Sequence, residues 1–226
     1  ESPQKDAFLQ ITQTKSKTFQ DTTGKKQYVC NNHNAFLSMM EGALTGKTGV
    51  TGEAGYCYVG AVRQGDRTLI VALLACGWPN NKNYKWADTK TLVQYGLDQY
   101  GYCNYWEDAM QDQDIRILEA GKKRTVKDAP AKDGNLYQDG TVNTFLNIDD
   151  QDREKRILMK KTEAIQVQIE EKQEITAPIE SGDILGTVTI LLNGETLDEK
   201  PIVSGESIQK KNLLWIYRQL WKSYAL

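Results

Sequence analysis

The alternation of apolar and polar positions changes character along the chain and sorts it into three stretches. Residues 7–19 (AFLQITQTKSKTF) are Thr-rich and alternate weakly, which predicts the end of a short helix followed by a strand. Thr22-Thr23-Gly24-Lys25 then turns the chain into QYVCNN, so a hairpin is expected. Residues 56–76 give the clearest β signal: YCYVGAV and TLIVALLAC flank Arg63-Gln64-Gly65-Asp66-Arg67, a Gly-containing turn of hairpin length. The second arm is nearly all apolar and predicts a buried central strand. Beyond the loop Gly77-Trp78-Pro79-Asn80-Asn81, Asp88 is placed to cap a helix with Leu92, Val93, Tyr95 and Leu97 on one face.

From about Glu107 the pattern becomes a series of short β runs: DIRILEAG, TVNTFLNI, REKRILMKK, AIQVQIEEKQEITAPI and GDILGTVTILLNGETLDEKPIVSG. With Leu192-Asn193-Gly194-Glu195 as a hairpin turn, they predict an antiparallel sandwich that no helix interrupts. The last stretch, KKNLLWIYRQLWKSYAL, puts Leu213, Tyr217, Leu220 and Tyr224 on one helical stripe, with Lys210, Lys211, Arg218 and Lys222 elsewhere. Aromatic bulk with a basic complement suits a helix lying in a membrane interface; the plainer reading is a terminal helix docked on its own domain. The fold class expected is therefore α+β: a sheet-and-helix part over residues 1–105, an all-β antiparallel sandwich over 106–208 and an amphipathic helix over 209–226.

Composition narrows the function without naming it. The chain has 226 residues, 39% hydrophobic and 26% charged, with a formal charge of −2. That balance argues against nucleic acid as the main partner. The acids concentrate in the β-rich middle, where they alternate with apolar positions and read as a solvated face. Cys30, Cys57, Cys76 and Cys103 form no CxxC pair, and the single histidine, His33, cannot complete a metal cluster with them, so no metal is expected. The cysteines stay open between free thiols and disulfides. No signal peptide and no apolar run of about 18 residues is present. Glu1-Ser2-Pro3 lacks an initiator methionine, from which we expect the sequence to begin inside a longer one.

Lys47-Thr48-Gly49 stands just before the 56–76 hairpin. Alone the triplet is weak. Its surroundings, Asn32-His33-Asn34, GALTGKTGVTGEAGYCYVGAV and RTLIVALLACGWPNNKNYKWADTKTLVQYG, resemble the low-molecular-weight penicillin-binding D-alanyl-D-alanine carboxypeptidases, serine peptidases in which this triplet is the third signature. The resemblance covers residues 1–105 as the last part of a transpeptidase-like, β-lactamase-related domain. GDILGTVTILLNGE resembles the small β domain that follows it, and the terminal helix resembles the membrane-anchoring end.

An acyl-transfer site for a peptide ending in a free carboxylate needs a cation at its mouth, small residues beneath the substrate strand and a hydroxyl for the carboxylate. Lys47, Gly49 and Thr48 offer these in turn. The resemblance further implies that Lys47 holds the proton network of the nucleophile and that the Val50 amide is an oxyanion donor. It implies that Thr48 and Thr51 bind the substrate carboxylate or a β-lactam, and that Lys85 approaches that carboxylate from the loop before the helix. His33 falls near the rim, or is a hydrogen-bonding loop histidine.

The family's Ser-x-x-Lys and Ser-x-Asn motifs lie upstream of the triplet, and neither is upstream here. Ser2 to Lys5 and Ser207 to Lys210 fit the first string but read as chance matches in a lysine-rich chain, and Tyr102-Cys103-Asn104 imitates the second in the wrong order. The implied function is a serine D-alanyl-D-alanine carboxypeptidase trimming peptidoglycan stem peptides without cofactor, its nucleophile on an upstream segment. The implied partners are stem peptides ending in D-Ala-D-Ala, β-lactams, that upstream segment and a membrane surface at the outer face of the bacterial cytoplasmic membrane. The alternative is a catalytically inactive wall- or membrane-binding remnant; a β-lactamase relative fits the β domain and terminal helix less well. Residues 1–105 alone should leave an exposed apolar flank.

Overall fold

The computed structural model describes residues 2–224, and Glu1, Ala225 and Leu226 lie outside the described residues. The chain divides into two compact units, one ending at Gly101 and the other beginning at Tyr102. Its architecture is α+β with antiparallel sheets.

The first unit opens with helix α1 (Lys5–Gln13) and a hairpin of β1 (Ser16–Gln20) and β2 (Gln27–Asn31), with Thr22 to Lys25 in the turn as expected. A short helix α2 (Phe36–Met39) leads into an antiparallel sheet of β3 (Ala43–Thr51), β4 (Gly55–Gln64) and β5 (Arg67–Leu73). β4 and β5 close on Gly65-Asp66, where Gly65 at φ +61° takes the left-handed first position that a two-residue hairpin requires. A 3-10 turn (Pro79–Asn81) precedes α3 (Tyr84–Gln99), which packs with α2 on one face of the sheet. That core holds Phe36, Tyr58, Val62, Val71, Trp86, Val93 and Leu97.

Helix α3 starts four residues before Asp88, so Asp88 lies inside it and does not cap it; Asn83 stands at the cap position. Its buried stripe runs through Lys85, Trp86, Thr89, Val93 and Leu97, while Leu92 and Tyr95 are half exposed. At about 100° per residue, Leu92 and Tyr95 lie about 100° or more away from Val93, outside the Val93–Leu97 stripe, which is why two of the four expected contacts miss the sheet. The second arm of the hairpin is also less buried than its composition implies. Val71 is buried, but Ile70 is 73% exposed on the opposite face, as is Val59 beside it on β4 at 48%. Helix α1 lies against that face along β3, where the Thr45 hydroxyl bonds the Thr12 hydroxyl at 2.8 Å.

Strand β6 (Tyr100–Cys103) crosses the junction between the units. In the second unit, α4 (Tyr105–Ala109) and α5 (Gln113–Ala120) come first, followed by β7 (Lys122–Pro130), β8 (Asp139–Leu146), α6 (Asp150–Arg153), β9 (Ile157–Lys160) and β10 (Ile165–Glu171). The strands β11 (Ile184–Leu192) and β12 (Glu195–Ser204) complete a five-stranded antiparallel sheet in the order β10-β11-β12-β8-β7. Asn193 and Gly194, at φ +54° and +83°, form the two-residue turn between β11 and β12 that their sequence announces.

The expectation of an uninterrupted run of strands fails at DIRILEAG. This segment forms helix α5, because Asp112 accepts the Asp114 and Ile115 amides as an N-cap, and Ile115 and Leu118, three apart, are buried while Ile117 is exposed. Helices α4 and α5 bury Trp106, Ala109, Ile115 and Leu118 against Leu146, Val188, Ile190 and Ile202 of the sheet. Asp198 on β12 fixes that layer by accepting from Trp106 Nε1 at 3.0 Å and Tyr105 Oη at 3.1 Å. Strand β7 escapes the apolar pattern because its charged residues occupy an edge position, with Val126 and Ala129 turned inward.

The chain ends in α7 (Leu213–Tyr224), none of whose described side chains is buried. Its start is tied down: Lys211 donates to the Gln138 carbonyl at 2.8 Å and pairs with Asp139 at 3.3 Å, and Lys210 pairs with Asp128 at 3.0 Å. Leu213, Tyr217, Trp221 and Tyr224 remain more than half exposed. No helix among the described residues is long and apolar enough to cross a membrane.

Candidate active site

In the first unit, one end of β3 and the start of α3 enclose a cleft of about 760 Å³. Its walls carry Lys47, Thr48, Gly49 and Val50 from β3, Tyr56 from β4, His33 from the loop after β2, Lys82 before α3, and Lys85 and Trp86 in its first turn. Five of the residues singled out in the sequence therefore meet at one place. Thr51 does not line the cleft; its hydroxyl accepts the Ala54 amide at 3.0 Å in the β3–β4 turn. His33 is at the rim and exposed.

The local geometry follows from β3 being the edge strand of its sheet. An edge strand presents alternate N–H and C=O groups to solvent, a ready template for an extended peptide. A Cβ at Gly49 would meet no atom within 4 Å beyond its chain neighbours, so the protein leaves that side of the strand clear. Lys47 folds back to donate to its neighbour's carbonyl, Thr48 O, at 2.5 Å. Because directly paired strand residues share a face, Lys47 lies in one row with Val59 and Ala72 across the sheet, on the face opposite to α3.

Lys85 is buried, with 6% of its surface exposed. Its ammonium lies 4.3 Å from the Tyr56 ring centroid and 4.6 Å from that of Trp86, and donates to the Lys82 carbonyl. Burial holds its pKa below the ordinary lysine value, with the Lys82 charge adding to the effect and Cys76 opposing it. Among the described residues none of Lys47, Lys82 and Lys85 has a carboxylate partner, and no acid lines the cleft. Three cations with no acid in a concave, partly desolvated wall make a site for an anionic group. No group of three or more His, Cys, Asp and Glu among the described residues stands together to hold a metal ion.

Sequence reasoning missed Tyr56, Trp86 and Lys82. Tyr56 pairs with Val50 in register, so its place beside the triplet could have been read from the hairpin; the aromatic seat of Lys85 depends on where α3 starts. A second polar feature is equally hidden: buried Asn34 accepts from Tyr58 Oη at 3.0 Å, while its Nδ2 has no partner among the described residues.

Residues 153–210 match the family model described as penicillin-binding protein 5, C-terminal domain. The chain is 24% identical over 209 residues to D-alanyl-D-alanine carboxypeptidase DacF of Bacillus subtilis, covering 92% of the chain and 48% of that relative. It is 31% identical over 102 residues to D-alanyl-D-alanine carboxypeptidase DacB2 of Mycobacterium tuberculosis, covering 45% of the chain and 28% of the relative. The chain thus spans about half the length of the first relative and less than a third of the second. Among solved structures, DacD of Francisella tularensis aligns with a TM-score of 0.46 at 23% identity, over 82% of this chain and 41% of its own. Penicillin binding protein 5 of Haemophilus influenzae aligns with a TM-score of 0.44 at 19% identity, over 89% and 51%.

All four cysteines are free, and two thiols are held protonated. Burial, and then its 3.1 Å hydrogen bond to the Asp88 carboxylate, pushes Cys76 up to about 11; burial and Asp108 push Cys103 to about 12. At pH 8, iodoacetamide should therefore label exposed Cys30 well before Cys76 or Cys103, read by peptide mass spectrometry. Asp88→Asn should speed Cys76 labelling several-fold, because removing the carboxylate lowers the thiol pKa. Equal rates at Cys76 with and without Asp88 would contradict this assignment.

Proposed function

From this kinship with the C-terminal portion of D-alanyl-D-alanine carboxypeptidases, we propose that the chain supplies the carboxylate-binding strand of a serine-type enzyme of that activity. The observation that carries the reading is the acid-free cleft that Lys47, Thr48 and Lys85 line beside an open edge strand. In this reading Thr48 and Lys85 recognise the terminal carboxylate of a peptidoglycan stem peptide or a β-lactam, and Thr51, expected to share that role, holds the β3–β4 turn instead. Gly49 lets that peptide lie against β3, and the Val50 amide donates to the oxyanion. A serine on an upstream segment attacks the penultimate carbonyl, D-alanine leaves with the proton, and water hydrolyses the acyl-serine. Lys47 holds the field and proton network around that serine. The exposed row of Val59 and Ile70 supports this arrangement, since a segment covering that face would meet Lys47 at its edge.

We assign residues 1–105 to the last part of the penicillin-binding domain, 106–208 to the small β domain and 209–226 to an interfacial helix at the outer face of the cytoplasmic membrane. The exposed Leu213, Tyr217, Trp221 and Tyr224 beside Lys222 support the last assignment. The rival reading, a catalytically inactive wall- or membrane-binding remnant, shares the helix but not the acylation.

Fluorescent penicillin separates the two. The chain alone should not be labelled, and co-expression with an upstream segment carrying Ser-x-x-Lys should give labelling on that segment's serine. Lys47→Ala should slow acylation by about 10²–10³, whereas Thr48→Val should mainly raise the penicillin concentration needed. Labelling of the chain alone at Ser2 or Ser207 would overturn the assignment of the nucleophile. For the helix, the protein should sediment with anionic vesicles, and Trp215→Ala with Trp221→Ala should release most of it. Undiminished sedimentation of the double variant would rule out an interfacial helix.

A further inference from the structure

The β1–β2 hairpin buries nothing, yet it carries an organised surface that the proposed chemistry does not use. All ten residues of its two strands are exposed. Phe19 and Tyr28, paired across the strands, stack with centroids 5.4 Å apart and an interplanar angle of 22°. Their rings stay 48% and 45% exposed, so they form a platform and not a core.

Strand alternation places Lys17 on the same face one pair away, opposite Cys30, and Lys26 on that face one pair away on the other side. The face also bears Asp21, but that carboxylate is committed to the turn: it accepts the Lys25 and Lys26 amides at 3.0 and 3.3 Å and the Thr23 hydroxyl at 3.0 Å. Its pKa is accordingly low in spite of partial desolvation. Among the described residues neither Lys17 nor Lys26 forms an ion pair. Beyond Lys17 and Cys30 a hollow of about 480 Å³ opens between the hairpin and α1, lined also by Gln10, Ile11 and Asn31.

We propose that this face, the Phe19–Tyr28 platform flanked by Lys17 and Lys26 and bordering the hollow at Lys17 and Cys30, binds an anionic glycan strand of carboxylate-bearing amino sugars. A stacked aromatic pair offers a flat apolar surface to the C–H face of a pyranose ring. The two lysines are spaced along the platform for carboxylates on neighbouring sugars. The identification of the glycan as that of the wall rests on the carboxypeptidase reading; the anionic sugar chemistry does not. In an enzyme that trims stem peptides, such a face would hold the glycan from which the stem hangs. Single-stranded nucleic acid could stack on the same rings and is the competing occupant.

The probe is muramic-acid-containing glycan strands stripped of their stem peptides by an amidase, which leaves a lactyl carboxylate on each muramic acid and no D-alanine. Binding to the full chain, read by fluorescence anisotropy of end-labelled strands, should be saturable and weaken with salt. Phe19→Ala with Tyr28→Ala should weaken it about tenfold. Lys17→Glu with Lys26→Glu, at exposed positions that leave the ring pair intact, should do the same and abolish the salt dependence, with circular dichroism and melting temperature matching the parent. Lys47→Ala should leave glycan binding unchanged. Failure of the carboxypeptidase reading would thus leave this binding in place, and failure of the platform would leave penicillin labelling in place. Binding unaffected by the charge-reversed variant, or tighter binding of oligo-dT than of the stripped glycan, would overturn the proposal.

Discussion

The arrangement of the first unit depends on one buried ring. Tyr58 is 1% exposed and lies across the paired glycines Gly46 and Gly60, where a side chain would collide with it: a Cβ at Gly46 would come within 2.3 Å of its hydroxyl, and one at Gly60 within 2.6 Å of its ring. In that slot it meets Trp86 edge-on at 4.9 Å, Phe36 at 6.0 Å and the Asn34 side chain at 3.0 Å. One side chain thereby joins β3, α2, α3 and the loop after β2, the elements that supply the walls of the cleft. Substituting either glycine would force this ring out and disturb Trp86, on which the buried Lys85 rests. Gly46 therefore has a packing reason to be glycine, while Gly49, three residues on, is glycine without any steric neighbour.

The same geometry explains the electrostatics. A lysine buried among aromatic rings without a carboxylate is costly unless its ammonium finds compensating electron density. Tyr56, Trp86 and the Lys82 carbonyl provide it for Lys85 without cancelling its charge. No acid lines the cleft, and two acids of the first unit are committed elsewhere: Asp88 holds the Cys76 thiol and Asp21 ties the hairpin turn. The cleft is left with a net positive wall, the property that a carboxylate-recognition site requires.

Much of this was legible in the sequence, for reasons that differ by element. Both hairpin turns, Gly65-Asp66 and Asn193-Gly194, were readable because left-handed backbone at those positions has few residues that tolerate it. The triplet and Lys85 were readable only through resemblance; the spacing of 47 and 85 says nothing about contact until the register of β3 and the start of α3 are known. Helix α5 reads as a strand in the sequence because Ile115 and Ile117 imitate alternation, whereas the N-cap at Asp112 decides for the helix. Strand β7 was missed because charged residues on an edge strand hide its period. The Tyr56–Trp86 seat and the stacked Phe19–Tyr28 pair arise from cross-strand and helix-to-sheet contacts that no local pattern encodes.

Carboxylate recognition by the cleft is the claim on which the functional reading stands, and it can be measured on the chain without any acylation. Amide chemical shifts of the isotopically labelled protein should be followed while a diacyl-L-Lys-D-Ala-D-Ala peptide is added, and again with the same peptide amidated at its C-terminus. The acid should shift Thr48, Gly49 and Val50 saturably, together with the Trp86 indole, and the amide should shift them several-fold less at equal concentration. Equal shifts with both peptides, or shifts that leave β3 untouched, would contradict it.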